Sequence, residues 1–262
     1  MKETGTNSVL PNIFCRKCTP FMKNQIVLII FFFLFVIFTL GNSVQGGDGD
    51  YVILLHGLSR TSNSMLDLEE SLTIRGYEVL NLDYQSRKDS IQGIVAGFIE
   101  PEINKFCIDT SRQIHFVTHS LGGIILRYYL TTSPRRQISR AVMLSPPNKG
   151  SEIVDFLGQM PLVSNTLGPA FKQLSADSSS FVNSLGPIQI ETGIITGDRT
   201  INFINSTIIP GPDDGKVSVE TARLDGMKDF LVVHRTHPFI MDAPEVLEQI
   251  AYFLEYGRFM RD

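Results

Sequence analysis

One serine, Ser120, stands between two apolar runs in the stretch IHFVTHSLGGIILRYYL, which covers residues 114–130. The run before it is typical of a buried strand, and the run after it is typical of a helix. A turn between such elements lifts a side chain out of the packed layers, and the first N–H groups of the helix stabilise a negative oxygen beside it. Gly122 and Gly123 leave room for a tight turn. The pattern therefore predicts that Ser120 is a nucleophile.

A serine hydroxyl is a weak nucleophile, so it needs a base within hydrogen-bond reach and a carboxylate that orients the base. Two histidines follow Ser120: His234 ends the apolar run LVVH, and His237 lies in the next loop. The candidate acids lie in TGDR and DDG, which are also ordinary turn sequences. The residues alone leave the choice open among Asp198, Asp213 and Asp214.

Strand-like and helix-like stretches alternate from Tyr51 onward, which predicts a parallel sheet with helices on both faces. Pro101 is expected to kink or divide the second helix. The alternation breaks at 148–187, which we interpret as an excursion over the sheet edge that forms a small cap. The predicted strands are 51–55, 77–84, 113–119, 138–147, 188–197 and 229–234, and the predicted helices are 62–76, 89–106, 121–132 and 243–257.

Residues 1–49 are interpreted as a leader, separate from a domain that spans 50–262. The apolar core of the leader, 26–40, is 15 residues long, between the length of a signal-peptide core and that of a membrane span. Lys23 precedes it, and Met22 could be the start of a conventional signal. We therefore expect export to the cell envelope, the periplasm or the medium, with the leader either cleaved or kept as a membrane anchor.

The composition narrows the classes of partner. The chain has 262 residues, 43% of them hydrophobic, and a net charge of −4 without a basic block, so no nucleic-acid partner is expected. Cys15 and Cys18 form half of a zinc-site pattern whose second half is absent, and Cys107 is the other cysteine. With no metal-site spacing and no glycine-rich phosphate loop, we expect no cofactor and no metal.

The stretch THSLG resembles the G-x-S-x-G nucleophile elbow of the α/β-hydrolases, with Thr118 in place of the first glycine. HGLSR after the first strand resembles the family's H-G loop, and DDGKVSV resembles the stretch around the acid of bacterial lipases. The order of serine, acid and histidine also matches the family. The chain thus resembles the serine lipases and esterases from Tyr51 to its end. The resemblance implies an α/β-hydrolase fold: a mostly parallel twisted sheet, helices on both faces and a small cap.

The resemblance also assigns roles. It implies Ser120 as nucleophile, His237 as base because it lies in the loop before the last helix, and Asp214 as the acid. The backbone N–H groups of Leu58 and Leu121 would form the oxyanion hole. Two other histidines are expected to have supporting roles. His56 would hold its loop, and His119 would point to the other side of the elbow and support packing.

The expected activity is hydrolysis of a carboxylic ester through an acyl-enzyme, on a small-molecule ester or a lipid. An acyltransferase or thioesterase with the same three residues is the alternative, and a non-catalytic envelope binding protein is a third possibility. Several apolar cap residues either line an acyl pocket or form the core of the cap: Ile153, Val154, Phe156, Leu157, Leu162, Leu167 and Phe171.

Overall fold

The computed structural model describes residues 49–133 and 137–261. Six strands form one sheet in the order β2-β1-β3-β4-β5-β6, and all neighbours are parallel. Most strand positions are filled by apolar residues, as expected for a sheet covered on both faces. The strands are β1 (Tyr51–Leu55), β2 (Glu78–Leu82), β3 (Ile114–His119), β4 (Ile138–Leu144), β5 (Glu191–Gly197) and β6 (Asp229–Val233).

Helices cover both faces of the sheet. Alternate side chains of β1 point to opposite faces, so Ile53 joins one buried cluster and Val52 joins the other. This arrangement confirms the predicted fold class. The helices are α1 (Leu66–Ile74), α2 (Ile91–Ile94), α3 (Glu100–Phe106), α4 (Leu121–Thr132), α5 (Glu152–Gly158), α6 (Pro161–Leu167), α7 (Pro169–Lys172), α8 (Phe181–Ser184), α9 (Phe203–Ser206) and α10 (Pro244–Tyr256).

The helix that contains Pro101 is divided into α2 and α3, in agreement with the expected kink or division. A π-helical turn, Val95–Ile99, joins α2 to α3, and Pro101 lies in the first turn of α3. Proline lacks an N–H donor, and its ring collides with the carbonyl four residues earlier in a regular α-helix. The wider turn accommodates the proline while the chain remains helical.

The cap, residues 148–187, contains α5 to α8 and connects β4 to β5. These strands are neighbours inside the sheet, so the predicted excursion connects two central strands and begins at the carboxyl end of β4, not beside an outer strand. The buried guanidinium of Arg127 on α4 fastens both ends of the cap. It donates to the carbonyl of Asn148 at 2.8 Å, and to the carbonyls of Val182 and Gly186 at 3.1 and 3.0 Å.

The predicted leader lies outside the described residues. That includes its apolar core at 26–40 and Cys15, Cys18, Met22 and Lys23. Export, anchoring and the domain boundary therefore stay predictions from the sequence. Among the described residues, no helix combines the length and the hydropathy needed to traverse a bilayer.

Candidate active site

Ser120 occupies a strained turn between β3 and α4. Its φ is 53° and its ψ is −120°, a combination that costs a non-glycine residue about 1–3 kcal/mol. The turn is held by the Ser120 N–H, which donates to the carbonyl of Leu144 at 2.9 Å. A Cβ on Gly122 would lie 2.3 Å from the carbonyl oxygen of Leu55, so glycine is required for α4 to approach β1. The local structure is the predicted elbow.

Thr118, the departure from the elbow pattern, is accommodated in β3. It is fully buried and pairs in register with Met143 of the neighbouring strand. A Cβ on Gly123 would lie 3.5 Å from the Thr118 hydroxyl, an ordinary contact distance, and 2.9 Å from Cβ of Pro146, so Pro146 is the neighbour that requires glycine at this position.

His237 and Asp214 form a buried pair. The Nδ1 atom of His237 lies 2.8 Å from Oδ2 of Asp214, and the two residues are 4% and 1% exposed. The other carboxylate oxygen accepts the N–H groups of Lys216 and Val217 at 3.0 and 2.9 Å. The pair leaves Nε2 of His237 as the ring nitrogen that can receive a proton.

The environment keeps Asp214 charged. Burial by itself would raise the pKa of this carboxyl group, but the charge and the hydrogen bond of His237 act against it. The N–H of Val217 also stabilises the carboxylate. The net effect lowers the pKa of Asp214 below its ordinary value, so the group is ionised at neutral pH.

The alternative acids and base make other contacts. Asp198 pairs with His234, Oδ1 to Nδ1 at 2.9 Å, on a surface where the His234 side chain is 75% exposed. Asp213 accepts the Ser206 hydroxyl at 2.9 Å and the Gly215 N–H at 2.7 Å, which is turn chemistry. Only Asp214, of the three, contacts His237.

Ser120 and His237 line one cavity of about 270 Å³. Most of the apolar wall of this cavity comes from the cap. The cavity lies at the carboxyl end of the sheet, where parallel α/β folds bind ligands. Of the cap residues predicted to line an acyl pocket or form a core, Phe156 and Leu162 do neither and are 43% and 83% exposed. The others line the cavity: Ile153, Val154, Leu157, Leu167 and Phe171.

The two predicted oxyanion-hole donors are the backbone N–H groups of Leu58 and Leu121. The N–H of Arg60 donates to the carbonyl of Gly57 at 3.2 Å, closing a turn around Leu58. In the described part of the chain, no acceptor takes the N–H of Leu58 or that of Leu121, the first residue of α4. Both residues belong to elements that line the cavity beside Ser120.

His56 holds the loop that follows β1. Its Nδ1 lies 2.8 Å from the Gly57 carbonyl, and its ring stacks on Tyr84 with centroids 4.0 Å apart. The Tyr84 hydroxyl donates to the His56 carbonyl. These contacts agree with the supporting role expected for His56.

His119 differs from its prediction, because it lines the same cavity as Ser120 and does not point away from the elbow. Its Nε2 lies 3.1 Å from the His237 carbonyl, and the two rings are 4.8 Å apart. Burial, followed by the charge on His237, lowers the pKa of His119 well below its ordinary value. His119 is therefore neutral, with Nε2–H donating to the backbone of His237. The position of His119 next to Ser120 in the sequence did not indicate that its ring would contact the backbone of His237.

Replacing His119 with phenylalanine should lower kcat by about 10- to 100-fold with little change in KM, because misplacement of a catalytic group by about 1 Å costs that much. His119→Gln keeps an N–H near the position of Nε2 and should recover most of the rate. Steady-state kinetics on both variants, with thermal melts to show folding, measure this. Equal losses in the two variants would show that ring packing matters and the donated hydrogen bond does not.

The family model of palmitoyl protein thioesterases matches residues 51–185, more than half of the chain. The chain belongs to the palmitoyl protein thioesterase family. The matched residues include Ser120 but end before Asp214 and His237, so the placement of this pair rests on the structure. No curated protein matches the sequence.

Solved structures similar to this palmitoyl protein thioesterase family member share its fold. Lipase BlEst2 from Bacillus licheniformis is 18% identical with a TM-score of 0.63, over 79% of this chain and 92% of that one. Phospholipase PlaB from Legionella pneumophila is 17% identical with a TM-score of 0.64, over 80% of this chain but only 60% of that one. An α/β hydrolase from a sediment metagenome, MGS-MChE2, is 20% identical with a TM-score of 0.53, over 80% of this chain and 93% of that one. These likenesses confirm the α/β-hydrolase fold.

Proposed function

We propose that the protein is a serine hydrolase that cleaves the ester or thioester bond of a substrate with an apolar acyl chain. One observation carries this proposal: Ser120 and the Asp214-bound His237 open into a single cavity with an apolar cap wall. The membership of the palmitoyl protein thioesterase family and the lipase-like fold support acyl transfer to water.

The first half of the reaction forms an acyl-enzyme. The Ser120 hydroxyl oxygen attacks the acyl carbonyl carbon while Nε2 of His237 takes its proton. The Asp214 carboxylate holds Nδ1–H of His237 and stabilises the imidazolium. The N–H groups of Leu58 and Leu121 stabilise the carbonyl oxygen as it becomes negative. When the tetrahedral intermediate collapses, the bond to the leaving alcohol or thiol breaks, and His237 returns the proton to it.

The second half repeats these steps with water. His237 removes a proton from a water molecule, and the resulting oxygen attacks the acyl carbonyl carbon of acyl-Ser120. Collapse releases the fatty acid and returns the proton to Ser120. In an acyltransferase, an alcohol acceptor would replace this water.

A paired substrate series tests the proposal. p-Nitrophenyl esters and the corresponding aryl thioesters, from two to sixteen acyl carbons, are hydrolysed by the full chain, and kcat/KM is measured for each. We expect hydrolysis in both series, with a rise from the shortest chain as the acyl group fills the apolar wall. A folded, monodisperse protein that cleaves none of these substrates would contradict the proposal and favour a binding role. Acyl transfer to added alcohols in place of hydrolysis would indicate an acyltransferase.

Export remains part of the proposal on sequence grounds alone. The apolar core at 26–40 and Lys23 support an N-terminal signal or anchor. Fractionation of cells that express the full chain, followed by N-terminal sequencing, tests it. Soluble protein that keeps Met1 and stays inside the cell would contradict it.

A further inference from the structure

The cavity at Ser120 has an uneven charge. Besides its two histidines, it is lined by two charged side chains, Arg60 and Lys216, and no acidic residue is among the described residues that line it. The whole chain carries a net charge of −4, so this concentration of positive charge runs against the average. A cavity lined by one sign of charge raises the local concentration of ligands of the opposite sign.

Neither cation has an acidic partner among the described residues. The guanidinium of Arg60 makes one long contact, 3.5 Å to the carbonyl of Pro238, and forms no ion pair with Asp242, a carboxyl group whose pKa the charge of Arg60 lowers. Lys216 forms no ion pair either, because the nearby Asp214 carboxylate is bound to His237 and to backbone N–H groups.

The two cations also influence each other. Desolvation lowers the pKa of Lys216, and the charge of Arg60 lowers it further, whereas Asp214 acts in the opposite direction. Both side chains are exposed at the cavity, so water screens their mutual repulsion and leaves both charges accessible to an anion. An anion that contacts both side chains would gain two charge-assisted hydrogen bonds.

The cations and the apolar wall come from different parts of the chain. Arg60 lies in the loop after β1, two residues beyond Leu58, and Lys216 lies two residues beyond Asp214. The apolar wall comes from the cap. An acyl chain that occupies the apolar wall leaves the cationic side for the other half of the substrate, which is the alcohol or thiol that departs.

We propose that Arg60 and Lys216 form a subsite for a phosphate group on the leaving alcohol or thiol. This inference rests on the proposed function and names its substrate class, an acyl ester or thioester of a phosphate-bearing alcohol or thiol. Arginine and lysine are the side chains best suited to phosphate, through charge-assisted hydrogen bonds. The phosphate takes no part in bond breaking, so it contributes affinity and orientation.

Binding to the Ser120→Ala protein separates this inference from catalysis. Calorimetry on the full chain would compare octanoyl-pantetheine with octanoyl-4′-phosphopantetheine, which differ by one phosphate. It would also compare octanoylglycerol with octanoyl-lysophosphatidate, so that the two pairs distinguish a thiol carrier from a lipid headgroup. We expect the phosphate-bearing ligand of at least one pair to bind about tenfold more tightly or better. The advantage should shrink in 0.5 M salt.

Three variants, each combined with Ser120→Ala, complete the test. Arg60→Gln and Lys216→Gln should each lower the phosphate advantage several-fold. Lys88→Gln is the matched control, because Lys88 is exposed, outside the cavity wall and without an ion pair to a described residue. It should leave the advantage unchanged, and thermal melts should show that all three variants fold.

Two results would overturn the inference. Equal affinities within both ligand pairs would show that no phosphate subsite exists. Equal weakening of the neutral and phosphate-bearing ligands in Lys216→Gln would show that the cation shapes the cavity without recognising an anion. Absence of hydrolysis by the Ser120-containing protein, with the phosphate advantage intact, would contradict the proposed function and leave this subsite standing.

Discussion

Replacing Ser120 with alanine should lower kcat for every ester and thioester by at least about 10⁴-fold, because loss of the nucleophile in a three-residue serine site costs about 10⁶-fold. The backbone donors at Leu58 and Leu121 and the cavity would still bind substrate, so KM should change little. Alanine keeps the Cβ and the backbone conformation of position 120, so the fold should stay intact and the melting temperature should not fall. The measurement is kcat and KM across the substrate series, with thermal melts of the same samples.

Ser184→Ala provides the control for this prediction. Its hydroxyl is exposed on α8 and donates within its own turn to the carbonyl of Phe181 at 2.7 Å. This variant should keep the activity of the unsubstituted protein. Substantial hydrolysis by Ser120→Ala would mean that another residue is the nucleophile.

Asp214→Asn should lower kcat by about 10⁴-fold at neutral pH, because an amide cannot hold His237 in the tautomer that accepts the serine proton. The substitution removes the negative charge of the Asp214 carboxylate, which His237 and backbone N–H groups stabilise. Steady-state kinetics together with circular dichroism would separate this loss from unfolding.

Asp198→Asn is the matched control for that experiment. Asp198 pairs with an exposed histidine, His234, in the same way that Asp214 pairs with buried His237. Its substitution should change kcat less than twofold. A loss in Asp198→Asn equal to that in Asp214→Asn would contradict the assignment of the acid.

The fold and the elbow could be predicted from short-range patterns. Strands of five to seven residues, most of whose positions are apolar, alternate with stretches of helical periodicity. This alternation specifies a parallel α/β sheet because each connection must cross a face. The position of Ser120 follows from the end of β3, the start of α4 and the glycines at 122 and 123. These sequence features lie within a few residues of one another, so they can be recognised without knowledge of tertiary contacts.

The choice of acid could not be settled from local sequence. Asp198 directly follows β5 in the sequence, which makes it the nearer candidate along the chain. In the structure, however, Asp214 packs against the end of β5, because a Cβ on Gly197 would lie only 3.0 Å from Cβ of Asp214. The missing side chain at Gly197 allows Asp214, sixteen residues further along, to fold back against the strand end. The loop that does this has no periodicity from which its path could be predicted.

The roles of His119, Arg60 and Lys216 also depend on tertiary contacts. Each of the three lies within two residues of a predicted site residue, but the group that it contacts or faces belongs to another loop. The hydrogen bond from His119 joins residues separated by 118 positions. Arg60 and Lys216 meet in one cavity only because the loops after β1 and β5 end at the same edge of a parallel sheet.

The measurement that tests the central claim most directly is covalent labelling by a fluorophosphonate, followed by mass spectrometry of the modified peptide. An activated serine reacts with this probe, whereas an ordinary surface serine does not. We predict one adduct, on Ser120, with labelling that is strongly slowed in His237→Ala and unaffected in His234→Ala. An unlabelled folded protein, or an adduct on a different serine, would contradict the assignment of Ser120 and His237 as nucleophile and base.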